Sequence, residues 1–250
     1  SGWTQGWTNA DNTTSAGNLM IAAYYTSHSD PGNFHGEMYL GTTRLVQGDY
    51  IYDSTFTPPT APLTSTGTGT KLLLNFTNAS IIDHTMRNNI EIVNDAQIDT
   101  TVKKFGTGSI EVDGTDCIRI GFPSLKPNKT LYLGKGPFTI EMFVYFNGDP
   151  NTSGVNARAS LIRDGGDDLV IQRYDGEWEV GNDGNPLEGI EAAQSLSNQV
   201  FYHVALTRDS SNKLRLFIDG TLAGTKTSFT INFDENKYHL GSFSNDGTAG

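Results

Sequence analysis

Short apolar runs, broken every few residues by a turn rich in Gly or Asp, are what most restrict the fold of this chain. The plainest instance is Tyr202-His203-Val204-Ala205-Leu206-Thr207-Arg208, then the polar stretch Asp209-Ser210-Ser211-Asn212-Lys213, then Leu214-Arg215-Leu216-Phe217-Ile218 and an Asp219-Gly220 stop. That arrangement predicts two antiparallel strands joined by a tight turn. Asp-Gly steps begin at 113, 164, 175, 183, 219 and 246, and the chain carries 28 glycines, so the same punctuation runs throughout. From residue 71 onward it predicts strands at 71–76, 90–93, 109–112, 117–120, 138–146, 159–163, 169–174, 178–180, 201–208, 214–218, 228–233 and 238–243. A dozen short strands at such spacing predict an all-β, two-sheet antiparallel sandwich, whose commonest large form is a jelly roll. Only residues 189–195, Gly-Ile-Glu-Ala-Ala-Gln-Ser, invite a helical turn.

Alternation assigns faces. In the run from Phe138 to Phe146, residues Phe138, Ile140, Met142, Val144 and Phe146 share one face and belong in the core. The other face, Thr139, Glu141, Phe143 and Tyr145, begins polar and ends aromatic, as suits an outer surface that is partly covered or carries a binding site. Nearer the start, 18–25 and 36–45 are candidate strands. They are followed by Pro58, Pro59 and Pro62, which cannot donate ladder hydrogen bonds and favour an extended linker or edge staple. The next residues, 64–70, contain only Gly, Ser and Thr, and a boundary is expected at residue 63.

A formal charge of −11 argues against a nucleic-acid groove, which needs clustered Lys and Arg. The acidity serves solubility or supplies oxygen ligands for a hard cation such as calcium. Cys117 is the single cysteine, so no intrachain disulfide forms and the thiol reads as buried and inert. No apolar stretch approaches the length of a membrane span, and the first residues lack the basic and apolar regions of a signal peptide. The five histidines show no zinc spacing.

Several motifs, taken in order, carry a resemblance to a known family. The 202–220 hairpin resembles the "W-H-V-A-x-T-R-D … L-x-L-Y-x-D-G" segment of concanavalin A-like jelly rolls of the laminin G group, above all the versions in bacteriophage virion proteins. Leu72-Leu73-Leu74-Asn75-Phe76 with Ile82-Asp83 is similar to their opening strand and turn. Lys104-Phe105-Gly106 through Val112-Asp113-Gly114 resembles "K-F-G-x-x-S-x-x-F-D-G", and Phe138-Thr139-Ile140-Glu141-Met142-Phe143-Val144-Tyr145 resembles "F-T-I-E-x-W-V-Y". Phe143 and Tyr202 stand where the family usually has Trp. The family's closing segment, "F-x-G-Y-I-D-x-x-R-I" and then "F-T-P-P-T-x-P-F", has no counterpart after Tyr238-His239-Leu240-Gly241. Its likeness lies instead in residues 33–39 and in Phe56-Thr57-Pro58-Pro59-Thr60-Ala61-Pro62-Leu63. The resemblance thus divides the chain into closing strands and a Pro-rich linker at 1–63 and a laminin-G-like domain lacking its usual last strands at 64–250. Residues 1–63 are either the tail of a preceding repeat or the missing strands, supplied within the chain or by a neighbour. The second alternative implies a permuted or strand-complemented jelly roll.

For chemistry, Asp175, Glu177 and Glu179 alternate as glucanase carboxylates do, but Asp175-Gly176 reads as a hairpin turn, and the Glu-x-Asp-x-x-Glu pattern is absent. A non-enzyme is expected. Asp164, Asp167 and Asp168 are the candidate calcium ligands, though they lack EF-hand spacing. Tyr174, Trp178, Asn182 and Asp183 are the candidate carbohydrate-binding residues, pairing aromatic faces with amide and carboxylate groups. The resemblance implies a non-catalytic virion structural protein of tail-fibre or capsid-surface type, extracellular or secreted. Its implied partners are copies of itself, other virion proteins and host glycan, with no nucleic acid and no membrane insertion. An extracellular filament or adhesin built by strand exchange, and a jelly-roll glycoside hydrolase or lyase, are the alternatives.

Overall fold

The computed structural model describes residues 19–23, 38–77, 80–112, 116–120, 131–149, 158–164, 169–182, 188–233 and 238–240. In chain order the strands are β1 (Leu19–Ala23), β2 (Met38–Gln47), β3 (Thr70–Leu74), β4 (Ile90–Val93), β5 (Gln97–Asp99), β6 (Ser109–Val112), β7 (Cys117–Ile120), β8 (Phe138–Phe146), β9 (Arg158–Asp164), β10 (Val170–Tyr174), β11 (Glu177–Asn182), β12 (Glu188–Ala193), β13 (Phe201–Arg208), β14 (Leu214–Ile218), β15 (Thr221–Lys226) and β16 (Tyr238–Leu240). A 3-10 turn at Gly67–Gly69 precedes β3. The strands form two sheets, one ordered β12-β11-β10-β9-β1-β16-β7-β4 and the other β15-β14-β13-β8-β2-β6-β5, with β3 also on β2. The expected all-β antiparallel sandwich is what the chain forms.

The core lies between the sheets. Phe138, Ile140, Met142, Val144 and Phe146 of β8 all enter it, as their alternation requires. From the facing sheet come Ile118, Ile120, Ile171, Trp178, Val180 and Ile190. The rings of Phe146 and Trp178 meet across the gap with centroids 6.3 Å apart. Cys117 is buried as expected, and burial pushes its thiol up to about 12, which leaves it protonated and inert.

Strand β2 runs through the interior of its sheet. One edge pairs with β8, from Met38↔Phe146 to Gln47↔Phe138. The other is divided, with Met38 to Leu40 on β6 and Thr43 to Val46 on β3. Nine of its ten residues are buried. Residues beyond it, through the prolines to Leu63, lie against the outer face of the same sheet, and Leu63 itself is buried.

Two expectations are corrected. Residues 189–195 do not turn as a helix; β12 pairs fully with β11, from Glu177↔Ala193 to Asn182↔Glu188. Gly189 lies so close to that neighbour that a Cβ would sit 1.8 Å from the Val180 carbonyl oxygen, a contact only glycine permits. Residues 228–233 form no ladder strand. Ser228 is left-handed (φ 57°), and the segment is held by Phe229 N–H on the Asn212 carbonyl and an isolated bridge between Gly134 and Phe233. Its two buried phenylalanines give it a strand's composition. Strands β5 and β15, by contrast, are short or polar and carry no such apolar signal.

The β13–β14 hairpin is closed by Asp209. Its Oδ1 accepts hydrogen bonds from the backbone N–H of Ser211 (2.8 Å) and Lys213 (3.0 Å) and from the Ser211 hydroxyl (2.6 Å), while Oδ2 meets Arg215 at 2.9 Å. Burial opposes the charge, but these bonds outweigh it and hold the carboxyl at about 2. Next to it, Arg208 is buried between the rings of Phe138 and Phe233, 5.0 Å from each centroid, and donates to the carbonyls of Gly134, Gly136 and Ile231. That guanidinium ties the hairpin base to the 131–137 and 228–233 segments. Replacing Asp209 by Asn is expected to lower unfolding stability by about 2 kcal/mol at neutral pH, read by urea denaturation. The native contribution is complete above an unfolded pKa of about 3.9 and is lost as pH falls through the folded value, so the two chains should converge towards pH 2.

Candidate functional site

The outer face of the β8 sheet is half sealed and half open, and the boundary between the halves is the strap of residues 50–63. Glu141, fully buried on β8, sits under the strap. Its Oε1 accepts from Arg44 Nε at 2.7 Å and from the second guanidinium nitrogen. Its Oε2 accepts from the Tyr52 hydroxyl at 2.8 Å and faces His203 Nε2 at 3.0 Å. Strand pairing puts these groups together, since Arg44 on β2 lies opposite Glu141, and His203 on β13 lies opposite Phe143, two residues along β8 on the same face. Burial raises the carboxyl, but the His203 hydrogen bond and the Arg44 charge overcome it, and Glu141 stays below the usual carboxylate range. Tyr52 shifts the other way, pushed up by its own burial and then by the charge of Glu141, so it remains a donor.

The strap is stitched down along its length. Ile51 N–H donates to the Thr139 hydroxyl, the Thr207 hydroxyl donates to the Tyr52 carbonyl, and Arg44 reaches on to the Thr64 carbonyl. Tyr52 and Phe56 stack with ring centroids 3.6 Å apart, and Phe56 lies edge-on to Phe217. Phe56 N–H then donates to the Gly220 carbonyl at 2.9 Å. Gly220 has φ +76°, and a Cβ there would meet the Phe56 carbonyl oxygen at 1.8 Å. The Asp-Gly stop is therefore the docking point of the strap.

Past the strap the face opens into a groove of about 470 Å³, lined by Pro58 and Pro59 on one side and by Phe105, Phe143 and Phe201 on the other. Lys104 and Asp219 stand exposed at its rim. Phe105 packs edge-on against Phe143 with centroids 5.2 Å apart, and Lys104 Nζ lies 5.6 Å from the Phe143 ring. Phe201 continues into Tyr145 (5.1 Å), and Tyr145 into Tyr39 (5.5 Å). Phe143 and Tyr39 are themselves buried and form the base of this row, so the partly exposed rings of Phe105, Tyr145 and Phe201, with one cation and one carboxylate, are what it presents. Aromatic faces flanked by a few polar groups are what a sugar ring or another flat, partly apolar ligand requires.

The residues expected to bind carbohydrate are placed elsewhere. Trp178 is 0 % exposed and packs in the core, with the Arg173 guanidinium 5.1 Å from its ring and Nε1 donating to Gln194, so it presents no face to a ligand. This corrects its reading as a stacking aromatic: paired to Arg173 across β10 and β11, it shares the inward parity of Ile171 and Val180. Tyr174 is half-buried at the end of β10, opposite Glu177 and so on the other face of the sheet from Trp178. Asn182 ends β11, and Asp183 lies outside the described residues. Of the calcium candidates, Asp164 ends β9, while Asp167 and Asp168 lie outside the described residues. Among the described residues no group of three or more His, Cys, Asp or Glu is placed to hold a metal. Asp175 and Gly176 form the expected turn, both at positive φ, and Glu179 accepts from Gln172 at 2.6 Å. No helix of the described residues is long and apolar enough to cross a membrane. No motif singles out Phe105, Phe143 and Phe201 as a group, although the aromatic end of the outward set on β8 points to that surface.

A two-sheet antiparallel sandwich with an aromatic groove on an outer face defines the class as a jelly-roll-like β-sandwich domain. More specifically, the family model Laminin_G_3, described as the concanavalin A-like lectin/glucanases superfamily, matches residues 121–249, just over half of the chain, and the chain belongs to that family. Neither the curated proteins nor the solved structures contain a match to it.

Removing the charge at Glu141 leaves Arg44 buried without its anion. Glu141→Gln is expected to cost about 3–5 kcal/mol of unfolding stability, measured by denaturant titration. Because the folded carboxyl is held below its unfolded value of about 4.3, its contribution is present above that pH and is lost as pH falls through the folded value. The chain carrying Glu141→Gln should show a correspondingly flatter stability profile in acid.

Proposed function

We propose that the chain is a non-catalytic carbohydrate-binding and assembly module that works outside the cell, and that the groove between the strap and Phe105, Phe143 and Phe201 receives the sugar. The observation that carries this reading is the open aromatic row beside the strap, with Lys104 and Asp219 at its rim for hydroxyl or carboxylate groups. Membership in a superfamily whose name joins lectins and glucanases supports carbohydrate as the ligand class. For a binding rather than a cleaving role, the support is the use made of Glu141: its oxygens already take Arg44, Tyr52 and His203, under a strap that shuts out substrate. The setting we propose is a structural protein of a particle surface, of virion tail-fibre or capsid type, on the strength of the four ordered motifs in phage-like form. In the same reading residues 38–63 are the closing segment of the sandwich, entered from the N-terminal side in a permuted order.

Glycan-array screening followed by calorimetric titration tests the proposal. Phe201→Ala and Phe105→Ala are each expected to weaken binding of the selected glycan about tenfold or more, equivalent to about 1.4 kcal/mol, with the thermal midpoint nearly unchanged. Binding unaffected by either substitution would move the site off this groove. Release of reducing ends from the bound polysaccharide would replace the binding role by hydrolysis.

A further inference from the structure

Met86 is the most exposed large apolar residue among those described, 87 % open to solvent, and its backbone is left-handed (φ 55°). Both properties are unusual for methionine. A bulky side chain at positive φ is disfavoured where Gly or Asn fits at little cost, and an exposed apolar side chain gains nothing from water. The turn nevertheless holds it in one place. Asp83, buried beneath, accepts on Oδ1 from the backbone N–H of Leu73 (3.1 Å) and Thr85 (3.0 Å). Its Oδ2 accepts from the Thr85 hydroxyl (2.6 Å), the Asn88 side-chain amide (2.8 Å) and the Asn88 backbone N–H (3.2 Å). Met86 N–H donates to the Asp83 carbonyl and His84 N–H to that of Leu73, which pins the turn to β3. Ile82, 47 % exposed, and Arg87 flank the methionine, and the Arg87 guanidinium pairs with no carboxylate among the described residues. An apolar tip fixed in advance, with a cation beside it, loses little conformational freedom when a partner covers it.

We propose that the turn at 82–87 is a docking knob for a second copy of this chain: Met86 of one copy enters the aromatic groove of the next, and Arg87 meets Asp219 at its rim. Three observations point to that occupant. Met86 does not line the groove of its own chain, and its exposure leaves the tip uncovered there. The groove is floored by Phe143 and walled by Phe105 and Phe201, and aromatic rings of this kind make favourable contacts with a thioether sulfur. The charges also match. The turn's carboxylate, Asp83, is buried, so the charge it shows is the Arg87 cation, while the rim of the groove exposes Asp219. Donor turn and accepting groove are different surfaces, so the contact is head-to-tail, and repeated it builds rings or open filaments. The inference rests on the groove that the proposed function assigns to sugar. Knob and sugar exclude one another there, so chains separate when glycan fills the groove.

Sedimentation and mixed cross-linking test it. The parent chain should give a mass that rises with concentration. Met86→Ser, which leaves every Asp83 bond in place, should weaken that association about tenfold or more with the thermal midpoint unchanged, and Phe105→Ala should weaken it from the groove side. Chains carrying Met86→Cys and chains carrying Thr60→Cys, an exposed position on the groove lining, are mixed and treated with a short thiol cross-linker. A dimer with one chain of each kind is the expected product, and the buried Cys117 does not compete. The proposal is overturned by a parent that stays a single chain up to about 1 mM, by a Met86→Ser chain that associates as the parent does, or by association that survives Phe105→Ala. Glycan titration of the Met86→Ser chain, whose groove is intact, reports on the sugar reading alone. Association kept by the parent with no glycan bound by either chain would remove the sugar and leave the knob contact standing.

Discussion

The arrangement depends on one buried carboxylate. Glu141 stands on the outward face of a central strand, where a charge with no cover would be solvated and harmless, and where a covered charge is costly unless it is paired. The fold takes the second course. Arg44 brings the countercharge from the adjacent strand, His203 approaches from the strand on the other side, and Tyr52 closes the top with a hydroxyl from the strap. Three separate parts of the sequence must therefore be in register before the charge is satisfied. Such a cluster adds little net stability compared with an apolar filling of the same volume, but it penalises misplacement of the strap heavily.

That selectivity shapes the rest of the outer face. Where the strap lies over the sheet, the surface is a second small core of Tyr52, Phe56, Phe217 and the His203 ring. Where it swings off at Pro58 and Pro59, the aromatic row of Phe143, Phe105 and Phe201 is left beside it. The prolines suit this place because an extended segment lying on a sheet face, rather than in a ladder, needs no N–H at those positions. One wall of the groove and the structural staple are consecutive parts of one segment.

Much of this is legible in the amino-acid sequence. The hairpin at 202–220, the inward set on β8, the inert Cys117 and the Asp175-Gly176 turn follow from period-two alternation and from the residues that tolerate positive φ. The outward set on β8 reads as partly covered or ligand-bearing, and in the fold one part of it is covered and the other borders an open groove. What escapes the sequence has a common physical cause. Trp178 looks like a binding residue because its neighbours are polar, yet its parity along β11 places it with Val180 in the core, and parity depends on a register that turn residues alone do not fix. The groove escapes because Phe105, Phe143 and Phe201 are scattered along the chain and meet only through pairing of β8 with β13 and the turn before β6. Residues 189–195 and 228–233 mislead through composition: alanines suggest a helix where a close-approaching glycine permits a ladder, and two phenylalanines suggest a strand where they anchor a loop.

Gly220 carries a consequence that reaches beyond the turn it occupies. Its carbonyl receives the Phe56 N–H, while Asp219 just before it takes the His203 N–H on its own carboxylate. These two hydrogen bonds fasten the strap, just before Pro58, and β13 to the Asp219-Gly220 turn at the rim of the groove. Side chains along the groove are free to diversify without moving the strap. A scaffold of this kind separates the anchoring of the groove's strap wall, held at a single glycine, from the chemistry displayed along the groove, so substitution at Lys104, Phe105 or Phe201 changes the lining while the strap stays fastened.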